Sequence, residues 1–483
     1  MNKTVLSIGV FSLLCLPYAL LHGVEYWVHH DTGDDANRGS KGSPFKTIPH
    51  AAKLLEPGDT LHVIPASEPY PNDVRFETRS GTAADPIVIN GHGSVISGWK
   101  QLDASEWKNE GHGVFSRTLE NNAWGMETHW EGGFDLVHFN DIPGKNVSGR
   151  EELTPGAYLL YKNRKESKSD PLHNTLFICL PEGKTPNTVE VSGVTGMGGI
   201  YVGRDYITVK NFSTEYGGRD GFATFKNKGI TFANVEARFF MDQGISNHGS
   251  EVTVLNSHFH HNAGGGIVDV YDDSVVRYEN CLIESDTWRG GVEFVNGRYE
   301  MENCVIRGNT QKALAVSGGA TVTLKNCLLI APEVAPGTGI LLGEGANILK
   351  ISLCTIQGFD IGLFATLDSE TVLEIVNSAW NNCRVNSVIR PTQRLNNPPV
   401  ELANSLVLSG NRYASGTWTL EDRLQNTEGW TVTKEHFSFG EHADFATRIQ
   451  TDLDAKFQAP LLRNPQQVGA LFTERFPTGP QED

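Results

Sequence analysis

Short runs in which apolar and polar residues alternate, such as ITVK, VTVL and VTLK, recur along this chain, and each ends at an asparagine. Asn211, Asn234, Asn256, Asn280, Asn303 and Asn326 follow one another at steps of 23, 22, 24, 23 and 23 residues. Leu353 takes the asparagine slot 27 residues further on, and Asn377 restores it after another 24. A second apolar ladder, from Ile200 through Phe222, Ile245, Ile267, Val292, Leu314 and Ile340 to Leu363, keeps in phase with the first. Alternation predicts short strands, and two ladders in phase predict stacked coils. A period near 23 residues is too short for paired helices and lacks the leucine spacing of a leucine-rich horseshoe. The unit that remains is one turn of a parallel β-helix, with strands of successive coils stacked roughly 4.8 Å apart.

Equivalent residues then lie above one another. Asparagine tolerates the left-handed conformation of a tight corner, and its amide can bond to the same amide in the next coil. The asparagines are therefore expected to be buried structural ladder residues. Cys281, Cys304, Cys327 and Cys354 each follow a ladder position, so they should stack as small apolar core residues along one interior row. They show none of the close C-x-x-C pairing of zinc or redox sites.

The regular coils occupy residues 188–389. Ahead of them, 24–98 reads as an N-terminal cap with the first coils. There Thr47 should cap a helix whose Ile48, Ala51, Ala52 and Leu55 share one face, before a strand from Thr60 to Ile64. Such a helix would cover the open end of the stack. The period is lost over 99–187, which reads as an inserted β-rich module. Residues 390–483 should form a degenerate coil and a cap. At the front, Lys3 and the apolar run Val5 to Leu16 read as an export signal over 1–23, implying a secreted or periplasmic protein with no membrane span after its removal.

The 483 residues are 39% hydrophobic and 20% charged, enough for a large core. The net charge of −17 disfavours nucleic acid and anionic membranes as partners. It weighs mildly against a polyanionic substrate, unless a local basic strip overrides the average field.

The segment YWVHHDTGDDANRGSKGSPFKTIPHAAKLLEPGDTLHVIPA, then SGTAADPIVINGHGSVISG, then the ladder, resembles secreted right-handed parallel β-helix proteins of the pectate-lyase-like superfamily. The resemblance implies an all-β, right-handed solenoid and a monomer acting on polysaccharide. That group contains polysaccharide lyases, glycoside hydrolases, epimerases and members with no known activity. No stretch matches the catalytic signature of a pectate lyase, polygalacturonase or mannuronan epimerase, so no catalytic role transfers to a numbered residue.

Candidate chemistry comes instead from aligning the coils. Ionisable residues concentrate around the strands that open at Phe222, Ile245, Ile267, Val292 and Leu314, whereas later coils carry uncharged runs such as GILLG and GLFATL. Asp242, His248, Asp269, Arg289 and Glu293 are candidate catalytic residues. Arg219, Asp220, Arg238, Tyr271, Trp288 and Lys312 are candidate substrate contacts, and Asp242 with Asp269 could hold calcium. Elimination from a uronate needs a cation or metal for the carboxylate and a base such as His248 or Tyr271. Hydrolysis needs two carboxylates, with Asp242, Asp269 and Glu293 as candidates. His258, His260 and His261 superficially resemble a metal cluster, but consecutive strand residues point to opposite faces. A non-catalytic glycan-binding or adhesin-like solenoid is the competing expectation.

Overall fold

The computed structural model describes residues 23–118, 137–161 and 175–392 apart from short internal stretches, together with the backbone of a few strands as far as 425. The expected signal segment and C-terminal cap lie outside the described residues.

The chain winds into a right-handed parallel β-solenoid of about 12 turns. One wall is an 11-stranded parallel sheet running from Val74–Phe76 through Ile200–Val202, Phe222–Phe225, Gln243–His248, Gly265–Asp269 and Val292–Val295 to Thr417–Leu420. A 20-stranded sheet makes the remaining walls. In register across the first wall, Ile200 pairs with Phe222, Phe222 with Ile245, Ile245 with Ile267 and Ile267 with Val292. These side chains are 0–1% exposed. Each contributes about 1.5–3 kcal/mol by leaving water, which is why the apolar ladder sets the register.

The asparagine ladder forms as the spacing predicts. Asn211, Asn234, Asn256, Asn280, Asn303 and Asn326 all have φ between 51° and 60°. Side-chain amides bond between neighbouring coils along parts of the stack, with Asn234 Nδ2 donating to Asn211 Oδ1 at 3.1 Å, Asn280 Nδ2 to Asn256 Oδ1 at 3.1 Å and Asn326 Nδ2 to Asn303 Oδ1 at 2.6 Å, while Asn234 Oδ1 accepts no bond. They are half-buried rather than buried, because a corner residue keeps one flank toward solvent. Leu353 holds the same conformation at φ 56°. Cys281, Cys304, Cys327 and Cys354 are buried free thiols, each Sγ lying against the carbonyl two residues before it.

The helix Ile48–Ala52 is capped by Thr47, whose Oγ1 accepts from the His50 N–H at 3.3 Å. Ile48, Ala51, Ala52 and Leu55 are buried together. Strand Ile87–Ser97 pairs directly with Ile207–Gly217, so the solenoid continues across the intervening residues as though they were absent. The described residues from Trp99 to Val194 form a 4-stranded and a 5-stranded sheet, after which Ile200–Val202 rejoins the 11-stranded wall. Their separate core includes Phe115, Phe139 and Leu176, and Tyr216 and Met241 of the solenoid pack against it. Strand Val191–Val194 pairs antiparallel with Trp99–Gln101 and so ties the two ends of this module together. Among the described residues, no helix is long and apolar enough to cross a membrane.

Candidate functional site

On the 11-stranded wall, alternate residues face inward and the intervening ones face out. The outward row reads Arg75, Tyr201, Ala223 and Ser246 on successive coils, and further up Glu293, Ala315 and Leu341. The row is thus polar and aromatic at the N-terminal end and turns apolar beyond Glu293. A groove of about 340 Å³ lies over the polar end, lined by Asp73, Arg75, Tyr201, Arg219, Asp220 and His248, with Phe225 and Ser246.

Arg219 and Asp220 stand in the turn just before strand Phe222–Phe225. Arg219 is exposed and Asp220 half-buried. Asp220 Oδ1 accepts the Gln243 N–H of the next coil at 3.3 Å. Burial and the charge of Asp242 push the Asp220 carboxyl up to about 8, against the opposing Gln243 N–H and Arg219 guanidinium. The carboxyl is therefore mostly protonated at neutral pH. Asp242 does not line the groove; its Oδ1 accepts from Gln243 Nε2. Gly264, on the coil after Asp242, leaves room for that carboxylate, since a Cβ there would come within 2.6 Å of Asp242 Oδ1.

At the other end of the groove, His248 Nε2 lies 2.8 Å from Ser246 Oγ, which donates to the Val268 carbonyl at 2.9 Å. Burial lowers the His248 pKa, so the ring is neutral at pH 7. The exposed Tyr271 ring meets His248 edge-on at 5.5 Å and Phe225 at 6.3 Å, giving an aromatic rim. Opposite, the Arg75 guanidinium sits 5.2 Å from the Tyr201 ring centroid.

Of the residues expected from sequence, the groove brings together Arg219, Asp220 and His248, with Tyr271 beside it and Asp242 acting on Asp220 from behind. Asp269 is a correction. Its side chain is turned inside the coil, 0% exposed. Oδ1 accepts the Asn247 N–H at 2.8 Å and Oδ2 accepts the Tyr278 hydroxyl at 2.6 Å, while Asn247 Nδ2 donates to that hydroxyl at 3.0 Å. Burial raises Asp269 to about 7 despite these bonds. It therefore belongs to an internal polar network, and the expected calcium pair of Asp242 and Asp269 does not fit, because both Asp269 oxygens are already engaged away from the groove. Arg238 also lies elsewhere, on the 20-stranded sheet, where Nε and Nη2 donate to Glu215 Oε2 at 3.0 and 2.7 Å. Glu293 and Lys312 lie further up the wall, 3.8 Å apart as an ion pair. Arg289 and Trp288 lie outside the described residues.

Sequence reasoning missed Asp73, Arg75 and Tyr201. The signal was present in the V-R-F run of Val74–Phe76, which alternates like Ile200–Val202 and pairs with it. The inserted module separates the two strands and hides the relation.

Residues 174–299 match a family model described as a right handed beta helix region. Solved structures with a similar backbone include a complex of XylC with xylose, 14% identical over 83% of this chain and 85% of that one, with a TM-score of 0.47. A rhamnogalacturonan lyase is 12% identical over 86% of this chain and 87% of its own, TM-score 0.43. Pectate lyase Pel9A is 13% identical over 82% and 77%, TM-score 0.35. No curated protein sequence matches the chain. Likenesses this distant say nothing of the substrate. The chain is a right-handed parallel β-helix protein, as the pectate-lyase-like resemblance implied.

Proposed function

We propose that this is an exported carbohydrate-active enzyme that cleaves an acidic polysaccharide laid along the 11-stranded wall, with hydrolysis as the reaction. The observation that carries this reading is Asp220, a carboxyl raised to about 8 by burial and by Asp242, inside a groove that also holds two guanidinium groups. A carboxylic acid kept protonated at neutral pH can donate its proton to a leaving glycosidic oxygen. Asp73 serves as the partner base. It sits two coils away, roughly 9.6 Å along the stack by strand spacing, just past the ~6.5–9.5 Å separation of an inverting pair, so a small side-chain approach across the groove leaves room for one water. Arg75 and Arg219 would pair with uronate carboxylates, and Tyr201 and the Phe225–Tyr271 rim would stack against sugar rings. This local pair of cations answers the objection raised by the negative net charge.

A second reading, β-elimination, is favoured by the neutral His248 imidazole at the same groove, a suitable base for the C5 proton of a uronate neutralised by Arg219. Assay of a panel of uronic-acid and neutral polysaccharides separates the two. New reducing ends without the ultraviolet absorbance of an unsaturated uronate support hydrolysis, and absorbance together with reducing ends supports elimination. Binding without either product across the panel would sink both in favour of a glycan-binding solenoid.

A further inference from the structure

A second cluster stands on a different wall from the groove. On the 20-stranded sheet, Glu236 faces outward from strand Ile230–Phe240, and register sets His258 beside it on the next coil and His260 beside Arg238. His258 and His260 are two residues apart on one strand and therefore share a face, their rings stacked at 4.0 Å. His260 Nε2 lies 2.9 Å and His258 Nδ1 3.9 Å from Glu236 Oε1. One ligand atom from each of the three residues falls within 4.8 Å of the others.

We infer that Glu236, His258 and His260 form a binding site for a divalent transition ion of the zinc class, bridging two adjacent coils outside the polysaccharide groove. Two imidazoles and a carboxylate are the donor set such ions prefer, and three protein ligands leave a position open to water. With bonds of about 2.0–2.1 Å, the ligand atoms of a tetrahedral ion are roughly 3.4 Å apart, so closing the site asks for small side-chain shifts only.

Two further observations point to an ion. The Glu236 side chain is 4% exposed, yet its Oε2 has no hydrogen-bond partner. A buried carboxylate oxygen without a partner costs about 1–3 kcal/mol or more, a cost that a bound cation removes. The supporting shell is also in place. With Nδ1 of His258 toward Glu236, its other nitrogen, Nε2, lies 2.8 Å from Glu284 Oε2 on the following coil, and Arg307 Nη1 donates to Glu284 Oε1 at 3.0 Å. A ligating histidine held through its second nitrogen by a carboxylate is the usual orientation device of such sites. The objection that neighbouring strand residues face opposite ways does not touch the pair two residues apart, and His261, at φ 53°, turns its Nδ1 to within 2.6 Å of His260 Nδ1, leaving His260 Nε2 toward Glu236.

The test is titration of the full chain, stripped with chelator, with zinc alone, followed by cobalt(II) as a spectroscopic stand-in. We expect one equivalent bound and the intense visible absorption of a four- or five-coordinate cobalt ion with nitrogen ligands. E236Q and H260Q should each weaken binding at least tenfold, and E284Q should weaken it about 10–100-fold through loss of orientation. Should a variant fail to fold, the wild-type cobalt spectrum still decides. No saturable zinc binding, a weak octahedral cobalt spectrum, or binding unchanged in folded E236Q and H260Q would overturn the inference.

Discussion

Leu353 is the one departure from asparagine in a run of described ladder positions that begins at Asn211, and its replacement tests whether the ladder matters energetically. The residue sits at φ 56° and is 54% exposed. For an L-residue other than glycine or asparagine, this conformation costs about 1–2 kcal/mol. Leu353→Asn removes much of that cost and adds a side-chain amide above Asn326, whose own amide already bonds down to Asn303 at 2.6 Å. One more ladder bond is worth about 0.5–1.5 kcal/mol. The lost leucine contact is small, because more than half of the side chain is already in water. The sum is a stabilisation of about 1–2 kcal/mol. Scaling the unfolding entropy to a chain of this length turns that into a rise in Tm of only about 1–2 °C. The better assay is hydrogen exchange of strands Ile348–Ser352 and Thr355–Gln357, which flank the substitution. Leu353→Gly relieves the strain without the amide, at a cost of about 0.5–1 kcal/mol in unfolded-state entropy, while Leu353→Ala keeps the strain. The expected order of protection is Asn, then Gly, then Leu and Ala. If Leu353→Asn left protection unchanged or lowered it, or if Gly and Ala behaved alike, the strain argument would be wrong.

Further outcomes are expected. Asp220→Asn should lower kcat by about 10²–10⁴-fold with little change in the far-ultraviolet spectrum. As the proposed general acid, Asp220 would work only while protonated, so activity of the wild-type protein should fall as pH rises through about 8, and steady-state rates across pH check this. Arg75→Ala and Arg219→Ala should raise KM more for a uronate polymer than for a neutral one, an effect read by comparing the two substrates and weakened by salt. Tyr278→Phe should destabilise by about 1–3 kcal/mol, since it strips a donor from Asp269 Oδ2 and an acceptor from Asn247 Nδ2, as denaturant unfolding would reveal. For Asp269, the folded-state carboxyl at about 7 lies above its unfolded value, so the native state holds the extra proton and stability falls as pH rises toward and through 7. Asp269→Asn should flatten that slope in unfolding curves taken between pH 5 and about 8.

Much of the fold was legible because a solenoid repeats one local problem in every coil. Inward apolar residues such as Phe222 and Ile245, and corner asparagines such as Asn234, satisfy the same constraint every 22 to 27 residues, so spacing specifies their register. The capping helix at Thr47 followed from local signals of the same kind. The groove was legible only in part. Arg219, Asp220 and His248 sit in consecutive coils, and their concentration stood out against the uncharged runs that follow. Asp73 and Arg75 come from a coil separated from its neighbour by the whole inserted module, and only the pairing of Val74 with Ile200 brings them beside Tyr201.

What the sequence determined by itself was the period, the strand faces and the chemistry available on each face, because these depend on residues close together in the chain. What only the tertiary structure decided was which carboxyl is solvated and which is not. Asp269 and Asp220 are both carboxyls of the same crowded stretch of coils, yet Asp269, at the end of its strand, is sealed inside with Tyr278, while Asp220, in the turn before its strand, opens to a groove with Asp242 behind it. Burial and charge–charge distance act through space, between residues that the winding of the coils brings together and that the chain keeps apart.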